Sequence, residues 1–73
     1  MNIKEALGKR IKFLRNQLGI SQEELADKAG IDRTYITSVE CGKRNISIVN
    51  IEKIANALDV SLCKLFDFND ELN

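Results

Sequence analysis

A helix-start signal, repeated four times, restricts this chain more than any other feature. Ser21, Asp32, Ser47 and Ser61 are residues that open helices. An apolar residue precedes each, and a second apolar residue lies five positions further on: Ile20 and Leu25, Ile31 and Ile36, Ile46 and Ile51, Val60 and Leu65. That is the spacing of a hydrophobic staple, in which side chains before and after the cap clasp each other and fix the angle of the incoming chain. No strand-like alternation or hairpin turn competes with it. The pattern predicts a compact all-α domain.

The predicted helices are residues 3–18, about 22–29, about 33–41, about 48–58, and a short fifth from Ser61 to about Phe66. In the first, Ile3, Leu7, Ile11, Leu14 and Leu18 recur at three- and four-residue steps, the stripe of an amphipathic helix. Gly8 lies inside that helix and weakens it by about 1 kcal/mol relative to Ala. Phe13 is off the stripe, so either the C-terminal segment or a second subunit covers it. In the fourth helix Ile48, Ile51, Ile54, Ala55 and Leu58 are placed on the inner face. The core spans 3–67, and residues 69–73 form a polar tail.

The densest signal runs from Ser21 to Asn45. Ser21 with Glu24 makes the S-x-x-E capping box. Gly30 stops the second helix, Asp32 caps the third and Gly42 stops it. Two short helices about a tight glycine turn are a helix-turn-helix pattern. At about 100° per residue, Tyr35, Ile36 and Val39 fall on one side of the third helix. Arg33, Thr34, Thr37, Ser38 and Cys41 fall on the other. That outer face holds one guanidinium, three hydroxyls and no carboxylate. It can bond to base edges and phosphates without repelling them. A merely solvated face ordinarily mixes Lys with Glu.

Charge placement agrees, although the formal net charge of zero does not. Residues 1–45 carry nine Lys or Arg against six Asp or Glu, and residues 46–73 carry two against five. The field is therefore directional. With no His and only Cys41 and Cys63, far apart, the sequence offers no metal set or disulfide framework. The two thiols suit a reducing cytosol, as small apolar filler or idle thiols or, alternatively, as a redox switch. No apolar run approaches a membrane span, and the MNIKEALGKR start lacks the apolar core of a signal peptide. These features place the protein in the cytoplasm. No cofactor is implied, and nothing could carry acid–base or nucleophilic catalysis beyond scattered carboxylates.

Taken together, SQEELADKAGIDRTYITSVECGKRNIS and IVNIEKIANALDVSL resemble the Cro/CI-type (Xre) helix-turn-helix regulators over about residues 3–67. Four features carry the likeness: the Q-x-x-L-A helix, the A-G turn, the Y-I-x-x-V-E helix and the A-L-x-V-S ending. The D-R-T-Y-I segment and the short R-N loop look most like the small controller proteins of restriction-modification systems. The resemblance implies a five-helix, lambda-repressor-like fold with the third helix in the major groove of DNA, the geometry that phage repressors of this type exemplify. It implies base reading by Arg33, Thr34, Thr37 and Ser38, a phosphate contact at Gln22, and backbone contacts from Lys43, Arg44 and Asn45. Tyr35 resembles a DNA-reaching tyrosine, and Arg15 and Glu40 resemble an ion pair joining the first and third helices. Cys41 departs from the family, where a basic or polar residue is common.

The residues leave alternatives beside these roles. Gln22 suits a phosphate at a helix N-terminus or simply the first helical position. Arg33 has the planar fork for guanine O6 and N7, or binds phosphate alone. Tyr35 is half core by its angle. The expected function is a transcriptional regulator that binds a palindromic operator as a homodimer, with half-sites about 34 Å apart or a multiple of that. The dimer contact is placed on Leu62, Leu65, Phe66 and Phe68, which could instead complete the monomer core. RNA polymerase is a further partner if Glu23, Glu24 and Asp27 meet it. The competing function is an antitoxin or phage or plasmid repressor-type module acting through protein–protein contacts.

Overall fold

Each helix opens on a side-chain cap. Asn2 accepts hydrogen bonds from the Lys4 and Glu5 N–H groups and starts α1 (Ile3–Leu18). Ser21 and Glu24 form both halves of a capping box at α2 (Gln22–Ala29). Asp32 opens α3 (Arg33–Glu40), Ser47 opens α4 (Ile48–Ala57) and Ser61 opens α5 (Leu62–Leu65). The structure is a computed structural model and describes residues 1–69. Among these, all regular structure is helical. Most of the predicted 69–73 tail thus lies outside the described residues.

The first apolar partner of each staple is half-buried and packs against the core, and Leu25, Ile36 and Leu65 are fully buried. With Ile11, Ile54 and Leu58 these side chains form the centre of one cluster. The α3 helix packs against both α1 and α2, while α4 packs against α2 and α5. Between α2 and α3, Gly30 turns the chain in the left-handed region at φ 67°. There the Ile31 N–H closes onto the Ala26 carbonyl at 3.0 Å.

Gly8 has a function that helix propensity hides. A Cβ there would collide with the Val39 carbonyl, and it would also crowd Glu40. The missing side chain lets α1 lie directly on the end of α3. Arg10, three residues after Leu7 on the same stripe, is drawn fully inside. Its Nε and a terminal nitrogen donate to the Lys64 carbonyl at 3.2 and 2.9 Å. Its guanidinium also lies 5.5 Å from the ring centroid of Phe13, which is half-buried against the core.

Three expectations are corrected. Ile48 is 79% exposed rather than inward-facing. It shares an angle with the buried Ala55, but in the first turn of α4 no neighbouring helix reaches it. Leu65 is fully enclosed by its own chain, so it belongs to the core and cannot form a surface. Helix α3 ends at Glu40 and α4 at Ala57, with Cys41 and Leu58 as caps. No helix of the described residues is long and apolar enough to cross a membrane.

Candidate nucleic-acid interface

The outer face of α3 begins at its cap. The Asp32 carboxylate accepts the Thr34 N–H at 2.8 Å and also the Thr34 hydroxyl. Those bonds, the hydroxyl's first, hold the Asp32 carboxyl below its ordinary value. One turn on, the Ser38 hydroxyl donates to the Thr34 carbonyl at 3.1 Å. The Thr37 hydroxyl lies 2.8 Å from Gln22 Oε1 and 3.1 Å from the Arg33 carbonyl. All three hydroxyl hydrogens are thus held inside the chain, and the oxygens present acceptors outward. Arg33 is exposed at the first position of α3. Its five donors have no hydrogen-bonding partner among the described residues. This face therefore combines one free planar fork with a row of acceptors and small side chains.

Behind it is a continuous polar network. Arg15 of α1 and Glu40 of α3 form a two-point ion pair, Nε to Oε2 at 2.7 Å and the other nitrogen to Oε1 at 3.0 Å. The third arm of Arg15 donates to the Ile20 carbonyl at 2.9 Å. Glu40 raises the Arg15 pKa, chiefly through the hydrogen bond, against the opposing effect of burial. Gln22 Nε2 then donates to Glu40 Oε1 at 3.1 Å, and its oxygen receives Thr37. Four residues from three helices are joined end to end. Gln22 sits at the first position of α2, as the phosphate role requires, but its amide also sets the position of Thr37 on the outer face of α3.

The loop after α3 completes the surface. Gly42 and Lys43 N–H groups bond to the Val39 and Ser38 carbonyls, each at 3.0 Å. Lys43, Arg44 and Asn45 are exposed. The Arg44 guanidinium lies over the half-buried Tyr35 ring, 4.5 Å from its centroid. The structure thus brings Gln22 to α3 through Thr37, and the loop to α3 through Tyr35. Leu62 and Phe66 lie elsewhere, on α5 and its cap. They are 46% and 39% exposed, and Phe68 packs edge-to-face on Phe66 with centroids 5.9 Å apart. Cys41 and Cys63 are free and exposed. Among the described residues no group of His, Cys, Asp or Glu is placed to hold a metal ion.

Two helices about a glycine turn, with the second helix exposed on one face and pinned from behind, define a helix-turn-helix domain. Comparison with known proteins places it further. Residues 11–65 match the family profile described as helix-turn-helix. The chain is 46% identical over 66 residues to control protein C.MunI of Mycoplasma sp, covering 89% of each chain. It is 43% identical over 68 residues to control protein C.BamHI of Bacillus amyloliquefaciens, covering 92% of this chain and 84% of that protein. The crystal structure of the restriction-modification controller protein C.AhdI from Aeromonas hydrophila superposes with a TM-score of 0.87 at 45% identity, covering 90% of this chain and all of that one. The protein belongs to the Cro/CI-type (Xre) helix-turn-helix family, and its similarity runs to the restriction-modification controller proteins.

Proposed function

We propose that this protein is a transcriptional regulator that binds a palindromic DNA operator as a homodimer and controls restriction-modification genes. The observation that carries this is the outer face of α3: a free Arg33 fork and outward acceptors, with no carboxylate on that face between Arg33 and Ser38. A relative, C.Esp1396I, is known bound to a 19 base pair DNA duplex, and that structure superposes with a TM-score of 0.86 at 35% identity, covering 96% of this chain. On this proposal Arg33, Thr34 and Ser38 meet base edges, and Lys43, Arg44 and Asn45 follow the backbone. Gln22 and Tyr35 support them. Thr37 and the Arg15–Glu40 pair set the angle of α3.

One such domain reads few base pairs, and pairing about a two-fold axis doubles the site. The dimer surface is proposed on Leu62, Phe66 and Phe68, extended by the exposed Ile48 and Val49 of α4. Exposed apolar side chains of this size stand out on a 73-residue chain. The site of action is the cytoplasm. If the exposed acids Glu23, Glu24 and Asp27 contact RNA polymerase, the regulator also activates.

Selection of bound sequences from a random duplex pool tests the proposal. Recovery of one motif with two-fold symmetry is the expected outcome. Recovery of no motif, with equal weak binding to every duplex, overturns it.

A further inference from the structure

We infer that Tyr35 acts on DNA through Arg44: its ring is a platform that holds the guanidinium beside the reading helix, and its hydroxyl makes no contact that affinity depends on. The inference rests on the regulator proposed above and assigns a positioning role within its binding surface.

The loop backbone is already held at several points. Gly42 adopts a left-handed φ of 73°, where a side chain is strained, and a Cβ there would press on Glu5 at the start of α1. The next N–H is tied to the Ser38 carbonyl. What remains free is the long Arg44 side chain, an exposed cation with many rotamers. Ordering such a side chain on binding weakens affinity. Tyr35 lowers that cost before DNA arrives. The ring is half-buried and packed against the core, which restricts its rotamers, and its face carries the negative end of the aromatic quadrupole. At 4.5 Å from the centroid the guanidinium lies well within the range of a cation–π contact. A guanidinium held over a ring face can still offer N–H donors to phosphate or a base.

A second feature supports the assignment. Tyr35 falls on the core side of α3, with Ile36 and Val39, whereas Arg33, Thr34 and Ser38 face outward. A core-anchored ring can support a neighbour's cation without itself reaching the groove.

The test is a double-mutant cycle on the full chain with the selected operator, with thermal unfolding of every variant as a control. Tyr35→Leu should weaken operator binding by roughly three- to ten-fold, the cost of leaving one long side chain unordered. Tyr35→Phe should restore most of that loss, because it keeps the ring face. In an Arg44→Ala background, Tyr35→Leu should cost almost nothing more. In the free protein, Arg44 side-chain protons should resonate upfield from the ring current, and Tyr35→Leu should abolish the shift. The inference is overturned if Tyr35→Phe binds as weakly as Tyr35→Leu, if the two losses are additive, or if Tyr35→Leu binds more tightly. A wild-type chain that binds no duplex fails in a different way: the regulator proposal falls, and this inference falls with it.

Discussion

The two ends of the molecule treat their polar and apolar groups in opposite ways. Around α3 most polar side chains other than Arg33 are tied within the chain. Hydroxyls bond inward, the buried Arg15 and Glu40 neutralise each other at two points, and Gln22 closes the network. Around α4 and α5 the chain leaves Ile48, Val49, Leu62 and Phe66 facing outward. The difference separates a region tied together by its own side chains from one that leaves apolar side chains in solvent. The outer face of α3 is preorganised by its own residues, which is what the proposed recognition of a regular duplex demands. The opposite surface is the one on which the dimer contact is proposed.

Several changes would break or sharpen this contrast. The largest effect is expected at the closed end. Glu40→Ala strands Arg15 with most of its side chain buried, and should destabilise the fold by about 3–5 kcal/mol in denaturant titration. A loss of a few tenths would mean that solvent already reaches the pair. At the open end, Phe66→Ser should weaken self-association by about 2 kcal/mol or more, as for a buried aromatic anchor, seen as a monomer by sedimentation at micromolar concentration. An unchanged dimer would move the interface away from α5.

Smaller changes test the seam and the reading face. Gly8→Ala should lower stability by about 1–3 kcal/mol through overpacking against the Val39 carbonyl, although Ala is the better helix former. A raised melting temperature would show that α1 can shift freely along α3. Arg33→Ala should weaken operator binding by about 1–3 kcal/mol and relax preference at one base pair per half-site. Arg44→Ala should instead weaken binding to all sequences and reduce the salt slope by about one unit for each phosphate no longer neutralised. Reversed behaviour would make the loop the reader.

The smallest effect is at Asp32. Its folded carboxyl is held below the ordinary value, so its contribution is present above the unfolded pKa of about 4 and fades as pH falls through the folded value. Asp32→Asn should leave a small stability difference near neutral pH that narrows in acid. A difference that widens in acid would contradict the assignment of Asp32 as the cap.

The five-helix architecture was legible because caps and staples are local: a Ser or Asp and two apolar residues around it suffice. The same locality explains what was missed. Ile48 has the right angle for the core, but burial depends on whether another helix extends that far. Arg10 stood on the apolar stripe of α1, and a cation at such a position could have signalled a buried role, yet its acceptor is a carbonyl 54 residues away. Gly8 read as a weakness because the groups it accommodates belong to α3. At the site, residue types on one helix face were legible, as was the pairing of Arg15 with Glu40 through the family likeness. The junction of Gln22 with Thr37, and of Arg44 with Tyr35, was not, since each links positions whose distance in space only the packed helices determine.

The Gln22 amide has a consequence for anyone who wishes to re-engineer target preference. Its nitrogen faces Glu40 and its oxygen faces Thr37, and turning it over would set the amide oxygen against a carboxylate. On the proposed function, position 37 therefore does not vary independently of position 22. A library randomised there would mostly recover variants that disturb position 22 and, behind it, the buried ion pair. Positions 33, 34 and 38 carry no such link to the ion pair. Diversification of specificity in this scaffold should begin with them, and a change at 37 should be made together with one at 22.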